Sequence, residues 1–537
     1  MSQAILALPL ERGGVRLAGS ETVARYQTDR PGTRETRGAV TAEYEPPSPE
    51  EGETAQTARR ESDKPIVAMK PGNAGGAKGL TGMRRDLRDR TAGLRTGAQF
   101  STKLKSLTLR ASGSQRNQFC SLMHLITEDS LLACFGDLKR NKAPGIDEVT
   151  MTEYEANLEE NVKQLHARLK ARQYRPRPVK RVYIPKANGQ KRPLGIPTVE
   201  DKVVQMACKK ILEAIFEADF LPVSHGFRPD RGCHDALDDL SRMIMSRPIN
   251  FVVDVDIERF FDTVNHEWLL ECLKQRIRDT VFLRLIARYL KAGTVSEGEH
   301  LATVAGTPQG SVLSPVLANI YLHYILDLWF ERKVKPGLKG YAQQIRYADD
   351  FIIGFQSERE ARRCTEALRA RLAKFGLKLA EAKSRTIEFG RYRWQSACRV
   401  GKRLATFDFL GITHYCDRSR VGNFKLGRRT ARTRLRRALQ ATNEWLKLIR
   451  NRMRLQQWWP LLAEKLRGYY NYYAIGGNMK SVQSYYYRVV QMAWKWLNQR
   501  SQQRSYNWDE FRRLLRYNPL PRPRLCHGYP KLTRMYA

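Results

Sequence analysis

Two stretches of this chain place carboxylates where carboxylates are costly. In Ile345-Arg346-Tyr347-Ala348-Asp349-Asp350-Phe351-Ile352-Ile353, apolar residues flank two adjacent aspartates. That pattern reads as two strands joined by a tight turn, with Asp349 and Asp350 at its tip. Asp is also an ordinary turn residue, so this segment alone admits both a catalytic and a structural reading. The second stretch, Val253-Asp254-Val255-Asp256-Ile257-Glu258-Arg259-Phe260-Phe261-Asp262, sets acids on and just after a run apolar enough for a buried strand. Charge in such a place is unfavourable unless it is paired or bound to metal. Carboxylates from two strands can hold two divalent ions about 3.5–4 Å apart, which activate a 3′-hydroxyl and stabilise a leaving pyrophosphate. An all-oxygen set of ligands suits Mg2+. The plain alternative is a salt-bridged strand end. Alternation puts Asp254 and Asp256 on one face, so periodicity does not choose between them.

The elements that must position these residues are legible in outline. Between the acidic stretches lies Gly306-Thr307-Pro308-Gln309-Gly310-Ser311-Val312-Leu313-Ser314-Pro315, a loop whose glycines let backbone approach a nucleotide or template strand. A long, largely apolar helix is predicted over Ser314–Phe330. Helices are also expected over Tyr154–Leu169, Lys202–Phe216, His266–Leu290 and Ser357–Gly376. The runs Val179–Pro185 and Arg192–Pro197, separated by Ala187-Asn188-Gly189, read as a hairpin. Further strands are predicted at Asn250–Asp256, Gln344–Phe355, Thr386–Phe389 and Phe407–Thr413. Strands interleaved with helices give an α+β class.

Composition bounds the partners. Lys and Arg number 94 against 55 Asp and Glu, a formal charge of +39. Such a surface attracts polyanions, nucleic acid first among them. A basic ribosomal or membrane-surface protein is the bland alternative. The nine cysteines form no C-x-x-C pair, which argues against zinc fingers and a disulfide framework. No apolar run approaches the roughly 20 residues of a membrane span, and Ala4–Leu8 is not read as a signal peptide. Residues to about Ser114, rich in Gly, Arg, Glu, Thr and Pro, are expected to be disordered, with folded character beginning near Phe119. From Lys425 to Arg454 there are eleven Lys/Arg and one acid, Glu444, on a helix-compatible pattern. Aromatics then crowd in, from Trp458 and Trp459 to Tyr485, Tyr486 and Tyr487. These could stack on unpaired bases, although for any single ring core packing is the expected role.

Taken in order, these residues resemble the reverse transcriptase family. Asp256 matches its first metal-binding aspartate, Pro308-Gln309-Gly310 its loop near the incoming nucleotide, and Tyr347-Ala348-Asp349-Asp350 its signature hairpin. The resemblance implies a metal role for Asp256 rather than Asp254. It also implies a steric gate at Phe261, triphosphate contacts from Lys186 and Arg192, pyrophosphate protonation by Lys383, and a primer grip at Phe409-Leu410-Gly411. The plain alternative for Phe261 is a core ring beside Phe260. From about Phe119 to Tyr517 the resemblance narrows to bacterial group II intron proteins, through Asn141–Asp147, His225–Cys233 and Leu466-Arg467-Gly468-Tyr469-Tyr470-Asn471-Tyr472-Tyr473, the last similar to the thumb region called domain X.

The implied organisation is an extension over 1–115, fingers over 116–250, palm over 251–420, a helical thumb with maturase function over 421–517, and a short basic tail over 518–537 without a nuclease. The implied activity is RNA-directed DNA synthesis with two Mg2+ ions. The implied partners are group II intron RNA, a DNA primer or target, and dNTPs. A bacterial cytoplasm, with nucleoid association on DNA, is the expected setting; the oligomeric state is left open, a dimer included. Two other functions remain: a splicing maturase whose polymerase is vestigial, and a domesticated or defence-associated reverse transcriptase.

Overall fold

The computed structural model describes residues 87–185, 191–296, 299–301, 305–499 and 505–529. Its centre is a four-stranded antiparallel sheet in the order β6-β7-β3-β8. These strands are β3 (Phe251–Val255), β6 (Ala342–Tyr347), β7 (Asp350–Phe355) and β8 (Arg385–Glu388). Both faces of β3 are covered, which explains its nearly unbroken apolar run. Phe251, Val253 and Val255 enter the largest core, while Val252 packs with Ile345, Ile352 and Ile387 on the opposite side. The helices Ser314–Leu322 and Glu358–Lys374 contribute to the first core, and Cys233–Ser246 to the second.

A second sheet, β2-β1-β4-β5, joins β1 (Val179–Pro185), β2 (Lys191–Ile196), β4 (Thr294–Ser296) and β5 (Glu299–Leu301). The predicted β1–β2 pairing is present and antiparallel; its Ala187-Asn188-Gly189 turn lies outside the described residues, as does Lys186. A third sheet, β11-β10-β9, is formed by β9 (Phe407–Phe409), β10 (Ile412–Arg418) and β11 (Phe424–Thr430). Four helices follow: Arg432–Ile449, Leu455–Tyr473, Met479–Leu497 and Trp508–Tyr517.

Several expectations need revision. Order does not begin at Phe119: a 27-residue helix spans Leu87–Gly113, with Phe100, Leu107 and Ala111 buried in the main core. Those three apolar anchors are sparse among polar neighbours, so composition masked them. The rest of the segment expected to be disordered lies outside the described residues. His266–Leu290 is two helices, His266–Lys274 and Thr280–Lys291, the second capped by the Asp279 carboxylate on the amides of Val281 and Phe282. The Tyr154–Leu169 region likewise divides, into Met151–Ala156 and Leu158–Lys170. Ser314–Phe330 is α-helical to Leu322 and is then interrupted by π-helical turns at His323–Asp327 and Phe330–Val334, with α geometry between them at Leu328 and Trp329. The basic run from Lys425 does not start as helix: Phe424–Thr430 is β11, paired along its length with β10. Sheet pairing there overrides a helix-compatible charge pattern. Among the described residues no helix is long and apolar enough to cross a membrane.

Candidate active site

The register of the central sheet sets the carboxylates. β3 pairs antiparallel with β7 so that Asp254 lies opposite Ile352 and Val255 opposite Phe351. Carried one residue further, the same register puts Asp256 across from Asp350, on the face that carries Asp254. The β6–β7 hairpin closes from Tyr347 to Asp350, leaving Ala348 and Asp349 as a two-residue turn, with Ala348 at φ +59°. Backbone of the segment after β3 is pinned as well: the Ala380 N–H donates to the Asp256 carbonyl at 2.9 Å, and the Asp256 N–H to the Ser384 hydroxyl at 3.3 Å.

Asp254 and Asp256 differ in their partners. Asp254 faces the Arg385 guanidinium at 3.6 Å. Asp256 holds the Lys383 ammonium at 2.5 Å, in a more open position. Burial pushes Asp350 up to about 8, helped by repulsion from Asp254, Asp349 and Asp256 and opposed by Arg434. Burial also raises Asp349, with Asp256 adding to the rise and Arg192 and Arg346 among the groups opposing it. Asp254 is raised to about 6 by burial, its Arg385 partner opposing and Asp408 and Asp256 adding. Asp256 is thus the strand carboxylate felt by both members of the hairpin pair.

The chemistry of this donor set suits a hard cation: among its acceptor-only carboxylates, repulsion helps to raise Asp254, Asp349 and Asp350, with Asp256 adding to each. As the side chains stand, no three His, Cys, Asp or Glu groups among the described residues converge closely enough to hold one ion. The Lys383 ammonium occupies part of the space on Asp256 that an ion would share.

The Gly306–Gly310 loop lies against both the Phe261 turn and β2. A methyl on Gly306 (φ +91°) would sit 2.8 Å from the Phe261 and Asp262 carbonyls; one on Gly310 (φ +108°) would sit 2.5 Å from the Gly195 carbonyl. The Thr307 N–H donates to the Phe261 carbonyl at 2.7 Å, and the buried His266 ring meets the Gly306 carbonyl at 2.7 Å. On the other side, the Gly195 N–H reaches the Gln309 carbonyl at 2.5 Å and the Arg192 Nε the Gln309 Oε1 at 2.7 Å. Arg192 and Gln309, named separately from sequence, therefore meet. Phe261 and Gln309 line one cavity of about 290 Å³, together with Arg181, Asp262 and Thr307. Phe261 is half-buried, its ring edge-on to the buried Phe260 at 5.4 Å.

Phe409-Leu410-Gly411 is brought to the junction with the helical region. The Phe409 ring is wholly buried, so only Leu410 and Gly411, at φ +51° and +77°, present a surface. The Tyr472 hydroxyl donates to the Leu410 carbonyl at 2.8 Å and the Ala431 N–H to the Gly411 carbonyl at 3.0 Å. In the helices beyond, most crowded aromatics are core. Trp458, Trp459, Tyr469, Tyr470 and Tyr485 are buried, Tyr469 and Tyr485 stacking at 3.7 Å, whereas Tyr487 is exposed. Arg432, Arg434, Arg436, Arg437 and Lys447 point outward from the first of these helices. The tail after Tyr517 folds back: the Cys526 and His527 N–H groups donate to the Ala474 carbonyl.

Sequence reasoning gave no role to Asn319, Asp327 or Arg346, which lie under the hairpin. A signal was present. Asn319, His323 and Asp327 recur every four residues on an otherwise apolar helix, a polar stripe facing the interior.

An antiparallel sheet with carboxylates after one strand and in the neighbouring hairpin turn, followed by a helical thumb, is the α+β right-hand polymerase fold. Residues 184–414 match the family described as reverse transcriptase (RNA-dependent DNA polymerase). Protein YkfC of Escherichia coli is 34% identical over 264 residues, which cover 43% of this chain and 69% of YkfC. The group II intron-encoded protein LtrA of Lactococcus lactis is 39% identical over 213 residues, 40% of this chain. Nuclear intron maturase 4 of Arabidopsis thaliana is 32% identical over 130 residues, 24% of this chain and 16% of its own length. The chain belongs to the reverse transcriptase family, and it is similar over part of its length to a group II intron-encoded protein. Its match spans 35% of the length of LtrA.

Proposed function

We propose that this chain is an RNA-directed DNA polymerase that copies a group II intron RNA into DNA, and that it binds the same RNA to assist splicing and mobility. The reading is supported by the strand register, which carried one residue past β3 sets Asp256 across from Asp350 and next to the hairpin turn of Asp349, and by the contact of Arg192 with Gln309. Asp256, Asp349 and Asp350 would hold two Mg2+ ions, which when bound supply activation of the primer 3′-hydroxyl and stabilisation of pyrophosphate.

The chain's own groups then have definable tasks. Arg192 and Gln309 would orient the dNTP triphosphate and ribose, Arg192 supplying charge and Gln309 an amide. Phe261 would crowd a ribose 2′-oxygen and favour deoxynucleotides. Lys383 can hand a proton to the leaving pyrophosphate; until substrate enters, its ammonium neutralises Asp256. Leu410 and Gly411 would support the primer end. The outward arginines of the Arg432–Ile449 helix would contact phosphates of the intron RNA.

The direct test is primer extension on an RNA template with dNTPs and Mg2+, comparing wild type with Asp349→Ala and Asp350→Ala. Extension by wild type and loss by at least a thousandfold in both variants is expected. Variants that extend as wild type does would falsify the site assignment.

A further inference from the structure

The turn that presents Asp349 is tied down from beneath by a charge pair with no exposure at all. Arg346 lies on β6, and its side chain enters the face opposite the carboxylates, where its cross-strand partner is Phe351. Its guanidinium binds Asp327 twice, Nη2 to Oδ2 at 2.5 Å and Nε to Oδ1 at 2.8 Å, and both side chains are 0% exposed. The remaining nitrogen, Nη1, donates to the Ala348 carbonyl and to the Asn319 Oδ1, each at 3.0 Å. Asn319 in turn donates from Nδ2 to the Gly226 carbonyl at 2.7 Å. Gly226 closes the ring, because a methyl placed there would be 2.3 Å from the Ala348 nitrogen. The Arg346 backbone is held too, its N–H on the Val223 carbonyl and its carbonyl on the His225 N–H. Gln344 satisfies Asp327 Oδ1 from the same strand at 2.8 Å.

Such a pair is a poor source of stability, since apolar residues of similar volume often fold as well or better. What an apolar pair cannot do is grip a carbonyl in the turn. Ala348 is a non-glycine residue at positive φ, a conformation that persists only where the surroundings over-determine it. We propose that Arg346, oriented by Asp327 and Asn319, is the positioning residue that fixes the Ala348–Asp349 turn and thereby aims Asp349 at its working place. The proposal rests on the polymerase reading for its consequence in catalysis, but the clamp itself has readouts that need no catalysis.

The test uses the full chain in four forms: wild type, Arg346→Met/Asp327→Leu, Arg346→Lys and Asn319→Leu. The double variant replaces the ion pair by apolar bulk and keeps the core filled. It is expected to retain the wild-type circular dichroism and cooperative unfolding, while kcat for primer extension falls about 100-fold, as for a misplacement near 1 Å. The KM for dNTP stays within about threefold, since Gln309 and Arg192 are untouched. Mn2+ affinity, followed by EPR without substrate, falls about tenfold, and amide exchange across Tyr347–Asp350 accelerates. Arg346→Lys and Asn319→Leu, which remove only some contacts, should fall between; they decide the matter if the double variant does not fold. Wild-type kcat, Mn2+ affinity and exchange in folded variants would overturn the proposal, leaving the pair a packing feature. A wild-type chain that never extends a primer refutes the polymerase reading instead, and the clamp is then judged on manganese affinity and amide exchange.

Discussion

Gly310→Ala is the sharpest perturbation of the nucleotide side of the site, because two separate penalties fall on one methyl group. Gly310 has φ +108°, outside the regions open to residues with a Cβ, and holding such a backbone costs about 1–3 kcal/mol. The added Cβ would also stand 2.5 Å from the Gly195 carbonyl and 2.8 Å from Leu194 Cδ1. Reaching ordinary contact means parting loop and β2 by roughly 1 Å, at a further cost of about 1–3 kcal/mol. The parting acts directly on the Gly195–Gln309 backbone bond and the Arg192–Gln309 side-chain bond. A hydrogen bond to a charged group contributes about 1.5–3 kcal/mol net. Loss of its lower value from nucleotide binding is about a tenfold rise in KM. Steady-state primer extension against dNTP concentration should therefore show KM up about tenfold and kcat within about threefold of wild type. Urea unfolding should show a loss of about 2–6 kcal/mol, the sum of the two penalties. Arg192→Gln loosens the same amide without backbone strain and should raise KM without the stability loss. Unchanged KM in both folded variants would refute the idea that this loop holds Gln309 for the nucleotide.

Other outcomes follow from the same geometry. Gly226→Ala forces its methyl onto the Ala348 nitrogen at 2.3 Å, so kcat rather than KM should fall, by about 100-fold; Gly136→Ala, with nothing within 4 Å, should leave extension unchanged. His323, buried with its ring 5.5 Å from Phe220, has a pKa lowered to about 4 by burial, Asp327 opposing. The unfolded chain takes that proton near 6.5 and the fold only near 4, so the unfolded state binds more protons between them and this contribution is lost as pH falls through that window. Its full size is about 3 kcal/mol, and the stability difference between wild type and His323→Gln should shrink by up to that amount from pH 7 to pH 4 in urea titrations; a constant difference would contradict the assignment. Replacing Arg432, Arg434, Arg436 and Arg437 with Gln should lower the slope of log K against log salt for intron RNA by about 3, as read by filter binding, and an unaltered slope would place RNA elsewhere.

What the sequence disclosed and what it hid divide along a physical line. Strand register propagates locally, so the Asp-Asp turn and the acidic strand were readable from apolar alternation, and the meeting of Arg192 with Gln309 required only that the Gly306–Gly310 loop lie against β2. The Leu87–Gly113 helix was missed because three buried residues among many polar ones leave little periodicity, yet each anchors on a core supplied by helices far along the chain. β11 was missed for the opposite reason. Lys425, Arg428 and Arg429 look like a solvated helix face, but pairing with β10 buries Arg428 over the Tyr529 ring at 4.6 Å. The ring belongs to a tail whose sequence announced only charge.

The choice between Asp254 and Asp256 shows how far alternation alone can go. Both stand on one face, as a period of two demands, so a pattern argument can do no more than name the pair. The fold separates them by neighbours instead. Asp254 has a cation of its own in Arg385 and a second acid, Asp408, nearby. Asp256 lies past the end of β3, opposite Asp350 by register, and is more open to solvent. It adds to the rise of Asp349 and of Asp350 alike. Asp254 lies opposite Arg385 of β8 in the register of the sheet. The family resemblance favours Asp256 on sequence order, while Asp254 and Asp256 both add to the repulsion on Asp350.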